Sequence, residues 1–428
     1  MLIRFRPTTV TAMAAVFGLA LMVSAAPAAA KEKPKKEEEA KKGNVIPASK
    51  GFIPSVKKMG DTLKAKDVAG LQAAIAEGES TASEPGDKYW LAFYKLQLGV
   101  LNKDKAAQSA ALDALIDSGL TPPENAATYN FFSGNFAYGD KDYAKAVKRL
   151  EAAKAAGSTE AVLPVLLMDS YLNNNQLDQG LALAKTTIEQ SRAAGQVPSE
   201  ELYVRPGRAL QAANRTNDLL DLLTLRVRDY PQPTVWRNTL YILLQQEGGD
   251  KASNLDTLRL MRATKSMEQR SEYMEYAALA VEAGYPGEAV SLIQEGQASG
   301  KISKSDQGFN QILESQGDRA RADAPVLRAD AAKPATKANP KAARATADAL
   351  VGNGDYATAI PLYEAALAGA ADPLTQYRLG VAQALAGQKE AALASFAKVQ
   401  GNRQRLAQLW TIHLNAAPAA PAAPAAGS

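Results

Sequence analysis

Residues 134–153 read GNFAYGDKDYAKAVKRLEAA. Gly134 lies in a run that ends on the turn-forming GDKD at 139–142, and a second run follows at once. In that second run Tyr143, Ala146, Leu150 and Ala153 recur at intervals of three and four residues, which puts them on one face of a helix. The implied unit is helix, tight turn, helix.

The same unit recurs in both directions along the chain. Thirty-four residues on, Met168, Leu177, Gly180, Ala184 and Thr187 take the same slots. A third copy carries Gly207, Leu210, Leu219 and Leu223 and closes on Pro231. A fourth, YMEYAALAVEAGYPGEAVSLIQEG, aligns Tyr273, Ala280, Gly284, Ala289, Ile293 and Gly296. The pattern returns at Gly354, Tyr356, Ala359, Tyr363 and Ala366, then at Tyr377, Leu379, Gly380, Gly387, Ala392, Phe396 and Val399. Weaker hairpins are expected at 54–79, 87–118 and 235–264. A fixed period of this length marks a repeat architecture, in which each hairpin buries its apolar face against its neighbours.

These slots resemble the tetratricopeptide repeat family from its central small residue onward. The resemblance implies an all-α solenoid of helical hairpins, with small residues such as Gly134, Ala146, Gly380 and Ala392 where helices cross closely. Glycine in the turns GDKDY, GYPGE, GNGDY and AGQKE is expected to take the left-handed backbone at the helix ends. The resemblance also implies a groove lined by the first helix of each unit. Carried over by slot, the groove residues are Phe131, Asn135 and Tyr138, then Val165, Asp169 and Leu172, then Val204, Arg208 and Gln211. For Phe131 and Tyr138 the competing reading is plain packing between helices, since aromatic stripes at helical spacing usually face a core.

Outside the repeats the composition changes. Arg4 and Arg6 precede an apolar stretch from Val10 to about Ala26 that closes on Ala28-Ala29-Ala30, the pattern of a cleaved secretory signal over residues 1–30. Residues 31–50 are charged and Pro-bearing and read as a linker. The repeats then divide into a block at 51–317 and a pair at 341–413, joined by a second linker at 318–340 with Pro325, Pro334 and Pro340. An Ala/Pro tail is expected at 414–428. Export to the periplasm or beyond follows from the signal, and no later apolar run is long enough to span a bilayer.

Composition narrows the chemistry. The chain has 428 residues, a single histidine and no cysteine, so disulfides, thiolate sites and metal sites built on several His or Cys ligands are excluded. Without Arg4 and Arg6 there are 47 basic and 45 acidic residues, a balance that gives no electrostatic case for nucleic acid. His413, in LWTIHLN, has no nucleophile motif to serve and reads as a partly packed side chain. No phosphate-binding glycine loop, calcium loop or G-x-S-x-G sequence is present, and among the many carboxylates nothing singles out a pair. No catalytic residue, cofactor or metal is therefore assigned. The expectation is a non-catalytic scaffold of the bacterial envelope presenting a concave surface to a protein or peptide partner. The alternatives are a peptide-binding or chaperone-like module and, behind it, an enzyme.

Overall fold

The computed structural model describes residues 46–246 and 250–416. Among these residues the regular structure is entirely helical, an all-α solenoid built of hairpins, with no strand. The chain divides into two compact units, one ending at Gln190 and the other starting at Ser191. The signal segment 1–30, most of the first linker and most of the Ala/Pro tail lie outside the described residues.

Unit 1 stacks four hairpins. They are α1 (Ile53–Lys64) with α2 (Val68–Thr81), α3 (Pro85–Leu101) with α4 (Lys105–Asp117), α5 (Pro123–Gly139) with α6 (Tyr143–Ala155), and α7 (Leu163–Asn173) with α8 (Leu177–Ala193). The turn inside each hairpin is a short sequence device. Lys66, Lys103, Lys141 and Asn175 take the left-handed backbone there, with φ of 55° to 63°. In the first three hairpins the next residue, Asp67, Asp104 or Asp142, caps the following helix by accepting the backbone N–H of its third residue, at 2.9–3.1 Å. In GDKDY the left-handed residue is thus Lys141 and not the expected glycine: Gly139 is still helical. In GYPGE, GNGDY and AGQKE the expectation holds at Gly284, Gly354 and Gly387.

The slots behave as the register requires. Ala146, Leu150 and Ala153 are fully buried, and a Cβ added to Gly134 would lie 2.7 Å from Leu150 Cγ. Successive hairpins are tied by polar contacts as well. Asp113 of α4 accepts from Ser133 of α5 at 2.7 Å and from Lys145 and Arg149 of α6, while Arg149 also reaches Asp117 at 2.8 Å. The end of the charged segment is docked and is not free linker. Ser49 donates its N–H and its hydroxyl to the two oxygens of Asp87, and Trp90 Nε1 donates to the Ile46 carbonyl at 3.1 Å.

Unit 2 begins with α9 (Glu201–Ala212) and α10 (Thr216–Asp229), α11 (Pro233–Gln246) and α12 (Lys251–Ala263), and α13 (Arg270–Glu282) and α14 (Pro286–Ala298). It continues through α15 (Gln307–Ala332), α16 (Pro334–Ala338), α17 (Pro340–Gly352) with α18 (Tyr356–Gly369), α19 (Pro373–Leu385) with α20 (Lys389–Phe396), and α21 (Gln404–Asn415). The expected linker at 318–340 is instead helical over most of its length. Alanines favour helix there, and Asp318–Arg321 and Asp330–Lys333 pair at i,i+3. Pro334 and Pro340 occupy the first position of α16 and α17, where a missing N–H costs nothing. Phe309 and Ala331 bury the two ends of α15.

The expected break between two repeat blocks also falls elsewhere. Helices α17–α21 belong to the same compact unit as α9–α14. One core joins Trp236, Leu240 and Leu258 to Tyr377, Val381, Leu406 and Trp410. Where α14 meets α17 the backbones nearly touch: a Cβ on Gly352 would stand 3.1 Å from Tyr285 Cβ. The C-terminal helix runs to Asn415, so the tail starts two residues later than expected.

Candidate functional site

The groove positions proposed from the repeat register separate into three groups. Phe131 is buried in the unit 1 core, edge-on to Phe132, and offers nothing to a partner. This is a correction: the side chain that the slot rule aims at the groove is consumed by packing between α5 and its neighbours. Tyr138 is half-buried, donates through its hydroxyl to Asp169 of α7, and meets the Tyr143 ring edge-on. Asp169 is itself buried, and its backbone carbonyl takes the Asn173 side chain at 2.7 Å. Tyr138 and Asp169 therefore join two consecutive hairpins.

Asn135 on α5 and Val165 and Leu172 on α7 are half-buried. Leu172 also packs toward Gly180, where an added Cβ would lie 2.8 Å from its Cδ2. In unit 2, Arg208 and Gln211 on α9 are exposed and Val204 is half-buried. Register therefore leaves polar groups with accessible surface on a first helix in each unit, the half-buried Asn135 and the exposed Arg208 and Gln211. These are the sequence-proposed residues with surface to give.

The polar centre that sequence reasoning missed lies within unit 2. Glu288 of α14 receives Arg259 of α12 through both oxygens, at 2.8 and 2.7 Å, and Tyr276 of α13 at 2.7 Å. Asp348 of α17 accepts from Tyr363 at 2.7 Å and from Arg378 of α19. Asp256 lies between them and accepts from Arg259 at 3.1 Å and Arg403 Nε at 2.9 Å. All six charged residues are buried. Burial pushes the Asp348 carboxyl up, against the pull of Arg378. At Glu288 burial acts in the same sense, but Arg259 and Tyr276 outweigh it and hold the carboxyl below its ordinary range. The available sequence signal was charge inside buried helix: Arg378 interrupts the run Tyr377–Gln383, every member of which is buried.

His413 stands edge-on to Trp236, at 6.1 Å, and to Trp410, at 5.8 Å. Burial lowers its pKa from the usual 6.5. Its ring is packed between indoles with no nucleophile hydrogen-bonded to it among the described contacts. Among the described residues no group of three His, Cys, Asp or Glu side chains is placed to hold a metal, and no helix is long and apolar enough to cross a membrane.

No family model matches this chain, and no curated protein matches it. Among solved structures it is similar to the Cut9 assembly in the APC/C hetero-tetramer Cut9-Hcn1, at 14% identity over 86% of this chain and 83% of that one, with a TM-score of 0.19. It is also similar to a human IFIT1 dimer with PPP-AAAA (13% identity, 79% and 80% covered, TM-score 0.21) and to Naa15/Naa10 bound to HypK-THB (11%, 84% and 70%, TM-score 0.17). Superpositions this loose add nothing to the fold read from the helices themselves.

Proposed function

We propose that this protein is a non-catalytic scaffold that holds a protein partner on the first helices of its hairpins, in the bacterial cell envelope. The observation that carries the reading is the exposure of Arg208 and Gln211, with Asn135 half-buried, on first helices whose other faces are packed. A hairpin stack of this kind supplies extended, rigid surface, and polar groups on a rigid element can select a partner at little entropic cost. Export through a cleaved signal at 1–30 is part of the proposal and rests on the sequence alone. The tetratricopeptide resemblance supports it by the register of six units.

The direct test is capture. Full-length protein expressed in cells and crosslinked should retain a defined partner, and Asn135→Ala with Arg208→Ala should lose it while circular dichroism is unchanged. Equal capture by the double variant would remove the support for these faces. A peptide-binding, chaperone-like role is favoured by one feature, the half-buried apolar Val165 and Leu172 on the first helix α7. Suppression of aggregation of unfolded clients by the purified chain would select that reading over a single-partner scaffold.

A further inference from the structure

The buried charges of unit 2 form two sets that meet at Asp256. In α12–α14, Arg259 is matched by Glu288 and Tyr276. In α17–α19, Arg378 is matched by Asp348 and Tyr363. The first set, counting Asp256, carries one surplus negative charge; the second, counting Arg403, carries one surplus positive charge. Arg403 is the side chain that crosses, donating to Asp256 at 2.9 Å and to Ser253. Arg378 Nε stands 3.9 Å from Asp256, beyond hydrogen-bond range, and at the rim Arg405 reaches Asp221 at 2.7 Å. A buried ion pair that loses its partner is strongly penalised. Parting these helices would break the Arg403–Asp256 pair and the longer Arg378–Asp256 contact, while Arg259 keeps Glu288 and Arg378 keeps Asp348.

The apolar share of the junction fits the same division. Helix α21 carries Leu406, Leu409, Trp410 and His413 at i, i+3, i+4 and i+7, a single face behind Arg403 and Arg405. That face joins the cluster of Leu220, Trp236 and Leu240 from α10 and α11. The covalent connection is a thin one. Helix α15 buries only Phe309 and Ala331, and the chain then turns extended at Lys333 and again at Asn339.

We infer that α17–α21 form a releasable clasp over the face of α10–α12, with α21 as the resident helix of a helix-binding groove and Arg403 on Asp256 as its latch. The clasp goes beyond the scaffold reading and does not depend on the first-helix faces. Opening it uncovers Trp236 and Leu240, and a helix repeating the pattern of α21, two arginines ahead of an i, i+3, i+4, i+7 apolar face, competes for the groove.

The chain has no cysteine, so spin labels can be placed cleanly. Asn217→Cys and Gln408→Cys are exposed positions lining one cleft across the junction. Glu364→Cys and Lys389→Cys, both exposed, report on the clasp alone. Pulsed EPR of the full chain should show one short 217–408 distance, and Arg403→Gln should raise a long-distance population roughly tenfold. The 364–389 distance should stay unchanged, and Arg403→Lys should restore most of the closed form. Should Arg403→Gln also lose the 364–389 distance, the variant has unfolded and the wild-type chain decides. Excess synthetic peptide of residues 402–415 should then lengthen its 217–408 distance, and a scrambled peptide should not. A single short distance in the presence of that peptide, with no long population in a folded Arg403→Gln, would overturn the clasp and make the junction a permanent core.

Discussion

Asp256 and Arg403 lie 147 residues apart in the chain and 2.9 Å apart in the fold. It is one of the polar contacts that hold the C-terminal hairpins on the rest of unit 2, beside the shared apolar core and the Arg405–Asp221 pair. It also fixes the first expectation. Asp256→Ala removes the nearest carboxylate of buried Arg403, leaving it only Asp250 at 3.7 Å, and one of the two carboxylates on Arg259, a loss of about 3 kcal/mol. Urea unfolding followed by Trp236 and Trp410 fluorescence, in a Trp90→Phe background, should show the unfolding free energy of unit 2 fall by that amount, with a lower midpoint. A change under about 1 kcal/mol would mean that solvent reaches the site.

The Gly134 slot should tolerate no side chain. Its added Cβ meets Leu150 at 2.7–2.8 Å and Arg149 Cβ at 3.2 Å, so Gly134→Val must push α6 away from α5. The expected cost is about 1–3 kcal/mol. Gly139→Ala is the control: nothing lies within 4 Å of that position, and alanine should gain up to about 1 kcal/mol through helix propensity. Thermal melting of the two variants in opposite directions is the expected result.

The lysines in the turns of unit 1 are held at a conformational disadvantage. A left-handed L-residue costs roughly 1–2 kcal/mol, offset in part by the greater freedom of glycine in the unfolded chain. Lys141→Gly should therefore raise the melting temperature slightly, and Lys141→Val should lower it. Asp142→Ala, which removes the cap on the Lys145 N–H, should cost about 1 kcal/mol.

His413 should make unit 2 sensitive to mild acid. Burial between two indoles depresses its folded pKa below the usual 6.5, so the neutral ring is favoured in the native state. The corresponding stability is fully present above pH 6.5 and is lost as the pH falls through the folded value. It is the chain's one histidine, so between pH 7.5 and 5.5 it dominates the side-chain titration. The urea midpoint should fall across that interval in wild type and change less in His413→Gln. Equal slopes would show that the ring is solvated in both states.

The hairpins were legible because close crossing of helices demands small residues at fixed intervals, and Gly134, Ala146, Gly380 and Ala392 mark those crossings. The turn chemistry was legible only in part. Glycine advertises a left-handed backbone, but Lys66, Lys103 and Lys141 adopt it with no compositional mark beyond the aspartate that follows. Residues 318–332 misled because prolines and charges resemble a linker, whereas their alanines and i,i+3 pairs sustain a helix tied down at Phe309 and Ala331. Phe131 could not be separated from Asn135 by slot alone, since burial depends on the neighbouring hairpin. The polar core of unit 2 was out of reach for a different reason. Pairing between Asp256 and Arg403, or Asp348 and Arg378, depends on which hairpins fold back on which, and repeat spacing does not encode that.

The central claim is that the first-helix faces hold a protein. A photo-crosslinking amino acid placed at Asn135, at Arg208 or, as a control, at the exposed Lys148 of α6 tests it in living cells. The account predicts a discrete adduct of one mass from positions 135 or 208 and none from 148. Adducts of equal yield from all three positions, or from Lys148 alone, would contradict it.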